Sequence, residues 1–224
     1  MTVLPFTLLV VAKAPVAGFA KTRLTPPLSP AEAADLAAAA LLDTLSAVRA
    51  SGAARRVVAW TGELDIACRA HEIASALGDF DIVAQRGVDF GVRLANAHAD
   101  AARLGLPVLQ IGMDTPQAGA ALLAECGDRL LSGPDAVLGP AVDGGWWALG
   151  LCDAQAARVL ADVPMSTERT GALTREALSS NGCRVESLRE LNDVDLFTDI
   201  AEVAAGCSGL FATVAGSLTA SRPR

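Results

Sequence analysis

TLLVVAKAPVAGFAKTRL, residues Thr7 to Leu24, decides how the rest of the chain is read. Its first six residues, Thr7 to Ala12, are uncharged and mostly aliphatic or β-branched, the composition of a buried strand. After Ala12 the pattern breaks: Pro15 and Gly18 stop a helix from starting at once, and Lys13, Lys21 and Arg23 place three cations on one loop. Lys13 and Lys21 are the only lysines in 224 residues, every other basic residue being arginine. The first acid is Glu32, although the whole chain has a net charge of −7. A strand running into a cationic loop predicts an anionic ligand there, and the compact ammonium is a charge that phosphate-handling loops use.

Working outward, Ser29 reads as a helix N-cap, Pro30 as the first helical residue and Glu32 as the partner that completes a capping box. Leu36, Ala39, Ala40 and Asp43 then follow the helical period. Further strands are predicted at Arg56 to Trp60, Asp81 to Gln85, Pro107 to Gly112, Ala136 to Gly139, Trp146 to Leu151 and Arg184 to Leu188. Alanine-rich helical stretches lie between them, including helices after Asp65, Val88 and Pro116. That alternation predicts an α/β fold on a mainly parallel sheet. Residues 1–206 read as a single domain, and 207–224 as a Gly-, Ser- and Thr-rich segment, partly frayed towards Arg224.

With 52% hydrophobic residues the chain can supply a sizeable core, so disorder is excluded. The acidic balance and the lack of a basic stripe exclude nucleic acid and anionic membrane as main partners. Val3 to Ala12 is too short to span a bilayer and lacks a positive leader, and no later apolar run is long enough, which places the protein in the cytoplasm. The five cysteines form no CxxC pattern and read as buried free thiols. His71 and His98 sit alone on helical stretches without a second nitrogen or sulfur ligand, which argues against zinc.

The motifs fall after strand ends, where such sheets carry function. The first loop fails the P-loop rule, having Ala20 and Pro15 where glycines belong, and neither GxGxxG nor GxSxG occurs. Gly112-Met113-Asp114-Thr115-Pro116 follows an apolar run and offers one carboxylate to Mg²⁺, which needs only one or two plus phosphate oxygens. The alternative is that Asp114 caps the next helix. In Gly139-Pro140-Ala141-Val142-Asp143-Gly144-Gly145-Trp146-Trp147 the glycines allow a close backbone approach, and strand alternation predicts that only one tryptophan faces a cleft. An ordinary Gly-Gly turn is the alternative. Asp193 and Asp195 would point the same way in an extended segment, with Asp199 left on the following helix.

In order along residues 7 to about 200, these stretches resemble the bacterial GT-A-like nucleotide-diphospho-sugar transferase superfamily, in particular its small glycosyltransferase-like group. The resemblance is carried by AKAPVAGFAKTRL from Ala12, LSPAEAADL from Leu28, Gln85 with Gly87, Asp89, Gly91 and Arg93, GMDTP from Gly112, GPAVDGG from Gly139 and DVD from Asp193. The opening segment and the late DVD also look like 2-phospho-L-lactate guanylyltransferase, and GMDTP like the molybdenum-cofactor guanylyltransferases. The resemblance implies a three-layer α/β/α sandwich, Rossmann-like, with a mixed, mainly parallel sheet. It implies a nucleotide over Ala12, Lys13, Ala14, Pro15, Gly18, Lys21, Thr22 and Arg23, with Gln85, Gly87 and Arg93 at its base or phosphate. It implies Mg²⁺ between Asp114 and the later acidic pair, with Asp195 taken as the ligand and Asp193 its alternative. Asp143, Gly144, Gly145, Trp146 and Thr167 would border the acceptor. Trp146 and Met165 stand where the family usually has Tyr and Trp, which implies a different acceptor pocket.

The expected activity is therefore Mg-dependent transfer from an activated nucleotide, with Lys21, Arg23 and Asp114 as the catalytic set. Its partners are a nucleoside triphosphate or NDP-sugar and a small-molecule acceptor, and a homodimer is compatible with the sequence. A single Asp in GMDTP, in place of a D-x-D, favours nucleotidyl transfer to a small phosphorylated acceptor with release of pyrophosphate. The alternatives are glycosyl transfer from an NDP-sugar to a hydroxyl, and a nucleotide-binding regulator without turnover.

Overall fold

The computed structural model describes residues 3–220. Its elements, in chain order, are β1 (Leu4–Lys13), a 3₁₀ turn (Thr22–Leu24), α1 (Pro30–Ala50), β2 (Ala53–Thr61), α2 (Ala70–Leu77), β3 (Asp81–Ala84), α3 (Phe90–Ala101) and β4 (Val108–Gly112). There follow α4 (Ala120–Leu131), β5 (Ala136–Pro140), β6 (Trp146–Leu151), a 3₁₀ helix (Ala154–Ala161), α5 (Thr170–Ser180), β7 (Val185–Ser187), α6 (Asp199–Ala205) and α7 (Leu210–Ala220). All the expected strands are present, as are the helices that carry His71 and His98.

The strands form one sheet in the order β3-β2-β1-β4-β6-β5-β7, in which β6 alone runs antiparallel to its neighbours. Strand alternation divides the core. Phe6, Leu8, Val10 and Ala12 of β1 pack with Ala38, Leu41 and Leu45 of α1 on one face. Leu9 and Val11 pack with Leu94 and Ala97 of α3 and Leu160 of the 3₁₀ helix on the other. The result is the expected α/β/α sandwich with a mixed, mainly parallel sheet.

α1 starts at the expected capping box: the Ser29 hydroxyl accepts from Glu32 N, and the Glu32 carboxylate accepts from Ser29 N at 2.8 Å. Its alanines are buried nearly all round, from Ala33 to Ala40, because the helix has a partner on both sides. Leu36, Ala39 and Ala40 face Ile200 and Val203 of α6 and Phe211 and Ala215 of α7. The segment from Cys207 is thus helical from Leu210 to Ala220, and its end at 221–224, where fraying is expected, lies outside the described residues. Asp43 of α1 holds the start of α7, accepting from Leu210 N at 3.0 Å and Phe211 N at 2.8 Å. Among the described residues no helix is long and apolar enough to cross a membrane.

Candidate active site

The strand order reverses between β1 and β4, the place where open α/β sheets bind ligands beyond their carboxyl ends. A cavity of about 730 Å³ opens there. Lys13, Lys21, Thr22 and Arg23 of the first loop reach it, together with Gln85 and Arg93 from around β3 and α3. From the other side come Asp114 after β4, Asp143, Gly145 and Trp146 before and on β6, Thr167, and Asp193 with Asp195. Side chains far apart in sequence therefore share one wall system.

Two ion pairs join residues of the cavity lining. Lys21 Nζ lies 2.7 Å from Asp114 Oδ2, with the lysine side chain only 12% exposed, and Arg23 pairs with Asp195. Lys21 is held in the left-handed region at φ 50° and ψ 43°, a conformation that costs a non-glycine residue about 1 kcal/mol. Strain of this kind persists where surrounding contacts over-determine it. Lys13 Nζ donates to Phe19 O at 2.8 Å, which closes the loop on itself.

The acids are brought in by a strap. Val194 N donates to Asp114 O at 3.2 Å, and the buried Val194 side chain leaves Asp193 and Asp195 on the cavity side. Asp199 stays at the start of α6, accepting from Asp195 N and Leu196 N. Burial, followed by the charges of Asp143 and Asp114, pushes Asp193 up to about 6, against the pull of Lys21. Its Oδ1 is buried with no hydrogen-bond partner. Asp114 is not the cap of α4: the helix begins at Ala120 behind Gly119, beyond the turn in which Ala118 N donates to Thr115 O at 2.9 Å.

Gln85 serves the frame as well as the cavity, since its Nε2 donates to Ala12 O at 2.9 Å and Ala59 O at 3.0 Å and so ties the ends of β1 and β2. Ala14, Pro15, Gly18, Gly87 and Gly144, expected at the site, do not line the cavity. Gly144 shows why it is glycine: at φ 86° a Cβ would collide with Glu168 O, and Gly171 N donates to Gly144 O at 2.9 Å, locking the turn onto the 165–171 segment. Trp146 and Trp147 pack on opposite faces of the sheet, as alternation requires. Both nevertheless line the cavity, which curls round the end of β6, and this corrects the expectation that only one would.

Sequence reasoning passed over Phe90, Leu94, Gln110 and Thr170, which also line the cavity, as does Met165, named above as a departure from the family pattern. Gln110 had a legible signal, a carboxamide inside the otherwise apolar run Val108 to Ile111.

Among the described residues no three His, Cys, Asp or Glu side chains converge as a metal cage. Asp114, Asp193 and Asp195 around one cavity, one of them with an orphaned oxygen, meet the lesser demand of a cation that also takes phosphate oxygens.

The chain is similar to a protein of Desulfovibrio desulfuricans provisionally assigned as a nucleotide-diphospho-sugar transferase, with 26% identity, a TM-score of 0.76 and coverage of 88% of this chain and 84% of that one. It also shares its fold with a nucleotidyl transferase of Methanothermobacter, at 20% identity and a TM-score of 0.56 over 88% and 95% of the two chains. Rv0371c of Mycobacterium tuberculosis, solved in complex with manganese, is similar at 17% identity and a TM-score of 0.54 over 88% and 97%. No curated protein sequence matches it. The fold is that of the GT-A-like nucleotidyl and nucleotide-sugar transferases, and the profile of the family described as uncharacterised proteins conserved in bacteria, DUF2064, matches residues 44–167, so the chain belongs to that family.

Proposed function

We propose that the protein is a Mg-dependent transferase that moves a nucleotidyl group from a nucleoside triphosphate to a small phosphorylated acceptor, releasing pyrophosphate. The observation that carries this reading is the pairing of Lys21 with Asp114 and of Arg23 with Asp195 across one cavity. Each cation now rests on a carboxylate, and each can turn to a phosphate oxygen when a triphosphate enters. Asp114 and Asp195 would hold Mg²⁺, with Asp193 beside them. Mg²⁺ held there would supply charge neutralisation for the triphosphate. The manganese in the mycobacterial relative supports a divalent cation in this fold.

In the transfer step an acceptor phosphate oxygen attacks the α-phosphorus, a new P–O bond forms, and the bond to the pyrophosphate oxygen breaks. Lys13 would neutralise the α-phosphate, while Lys21 and Arg23 take the charge that develops on pyrophosphate. No general base is needed, because a phosphate acceptor is already ionised at neutral pH. Orientation in the cavity and fixed charge supply the rate.

Glycosyl transfer from an NDP-sugar is the second reading, favoured by the similarity to the Desulfovibrio protein over most of both chains. The same cations would then stabilise a departing nucleoside diphosphate. Phosphorus NMR of the protein with Mg²⁺, each nucleoside triphosphate or NDP-sugar, and a small-metabolite extract separates the two. Pyrophosphate supports nucleotidyl transfer, nucleoside diphosphate supports glycosyl transfer, and neither product leaves only nucleotide binding.

A further inference from the structure

Arg69, the residue before α2, holds left-handed backbone at φ 55° and ψ 34° and gives the helix no side-chain cap. Such backbone is strained in a residue that carries a Cβ, and it persists where contacts over-determine it. At Arg69 those contacts are made with Asp35 of α1. Nε lies 2.6 Å from Oδ1 and Nη2 lies 3.2 Å from Oδ2, a two-pronged grip in which the arginine side chain is 24% exposed. The Cys68 thiol donates to the same Oδ1 at 3.4 Å, while Glu72 meets only Nη1 of the guanidinium, at 3.3 Å.

The grip reaches the first loop through one peptide group. Cys68 N donates to Pro15 O at 2.9 Å and Ala14 N donates to Thr61 O at 2.8 Å, so both ends of segment 61–68 are stitched to the residues that follow β1. Gly62 permits this approach, because a Cβ there would stand 2.9 Å from Ala14 Cβ. Beyond Pro15 the loop winds on itself: Phe19 N and Ala20 N both donate to Val16 O at 3.0 Å, and Lys13 Nζ donates to Phe19 O. Ala20 then joins the core that contains Ala37 and Ala38 of α1, and Lys21 follows it. α1 therefore supports the loop twice, once at Ala20 and once through Asp35, Arg69 and Cys68 at Pro15. Neither Asp35 nor Arg69 lines the cavity, so their influence on a ligand there passes through the loop.

We infer that Asp35 and Arg69 are positioning residues, whose grip keeps Pro15, and with it Lys13 and Lys21, where a triphosphate is met without rearrangement. A loop that must be ordered at the moment of binding gives up affinity, because the ordering cost falls on the complex. The inference rests on the proposed function, since it makes the grip serve a nucleotide.

The test pairs calorimetric titration of each common nucleoside triphosphate, in non-hydrolysable form with Mg²⁺, with amide hydrogen exchange. The proteins are wild type, Asp35→Asn, Arg69→Lys and Glu72→Gln. Asparagine keeps the shape of Asp35, and lysine keeps the charge of Arg69 without its two-pronged geometry. Asp35→Asn and Arg69→Lys each weaken the nucleotide about fivefold or more, and the amides of Cys68, Phe19 and Ala20 exchange about tenfold faster while those of Leu9, Val10 and Val11 in β1 keep wild-type rates. Glu72→Gln, which removes a charge beside the same guanidinium and leaves the Asp35 grip intact, matches wild type in both measurements. Nucleotide affinity within about twofold of wild type in Asp35→Asn and Arg69→Lys overturns the inference. So does exchange that rises equally in the loop and in β1, the mark of a merely structural ion pair, or an equal loss in Glu72→Gln. If the wild type binds no nucleotide, the proposed function fails, and exchange alone then decides the tie: selective loosening of Phe19 and Ala20 supports it, and unchanged rates overturn it.

Discussion

Lys21 Nζ and Asp114 Oδ2 lie 2.7 Å apart although 93 residues separate them in sequence, and one is the cation that follows β1 while the other is the carboxylate that follows β4. Their pairing compensates a largely buried ammonium, and under the proposed function a phosphate would take the place of the carboxylate. Lys21→Ala should lower turnover about 10²-fold or more, the scale for losing one preorganised charge-stabilising group, with folding retained by circular dichroism. Unchanged turnover would remove Lys21 from the mechanism.

Asp114→Asn tests the other partner. Since Gly119 caps α4, the substitution removes no helix cap, but it takes the countercharge from Lys21, so the Mg²⁺ concentration needed for half-maximal activity should rise together with a fall in melting temperature that the Lys21→Ala, Asp114→Asn double variant reverses. A large drop in melting temperature with normal Mg²⁺ dependence would instead assign Asp114 a structural role.

Asp193 carries a cost that the proposed metal site would explain. Its folded value of about 6 lies above the ordinary carboxylate range, so its neutral form is favoured in the folded state. Its contribution is most favourable below the unfolded value and is lost as pH rises through 6. Asp193→Asn should therefore raise the melting temperature above pH 6, with the gain fading towards pH 4, and should reduce activity. Equal melting curves at pH 8 would contradict this.

His98 works in the opposite direction. Fully buried on α3 with neither ring nitrogen paired, it is pushed down to about 3 by desolvation. The unfolded chain takes up this proton first, so stability falls as pH drops below about 6.5, by up to about 1.4 kcal/mol per unit. Asp193 partly offsets this slope near pH 5, so the comparison is between wild type and His98→Leu by chemical denaturation. The variant should lose the His98 share of the slope, and identical slopes would sink the assignment.

Asp43→Ala probes the fold without touching the cavity. Losing the carboxylate that accepts from Leu210 N and Phe211 N should cost about 1–2 kcal/mol, lowering the melting temperature by about 2–8 °C. Turnover per folded molecule should not change.

The strand pattern was legible because apolar runs report directly on burial between helical layers. The Ser29 capping box was equally local, depending on residues three apart. α7 was not legible: its Gly, Ser and Thr content is poor for a helix, and what holds it is remote, Phe211 and Ala215 against α1 and the Asp43 carboxylate. The same distinction applies to the site. Lys21, Arg23, Asp114 and Asp195 could be named from motifs, but their mutual pairing depends on Val194 strapping the late acids to the end of β4. Gln110 stood out as a carboxamide in an apolar run, but what it lines is known only once the cavity beside it is seen.

The most direct measurement is the affinity of Mg²⁺-nucleoside triphosphate for wild type and for the Lys21→Ala, Arg23→Ala double variant, by calorimetry at fixed ionic strength. The account predicts saturable binding to the wild type and a loss of about 10²-fold or more when both cations are removed, the range of two charge-assisted phosphate contacts. Equal affinity in the two proteins, or no binding of any nucleoside triphosphate or NDP-sugar by the wild type, contradicts it.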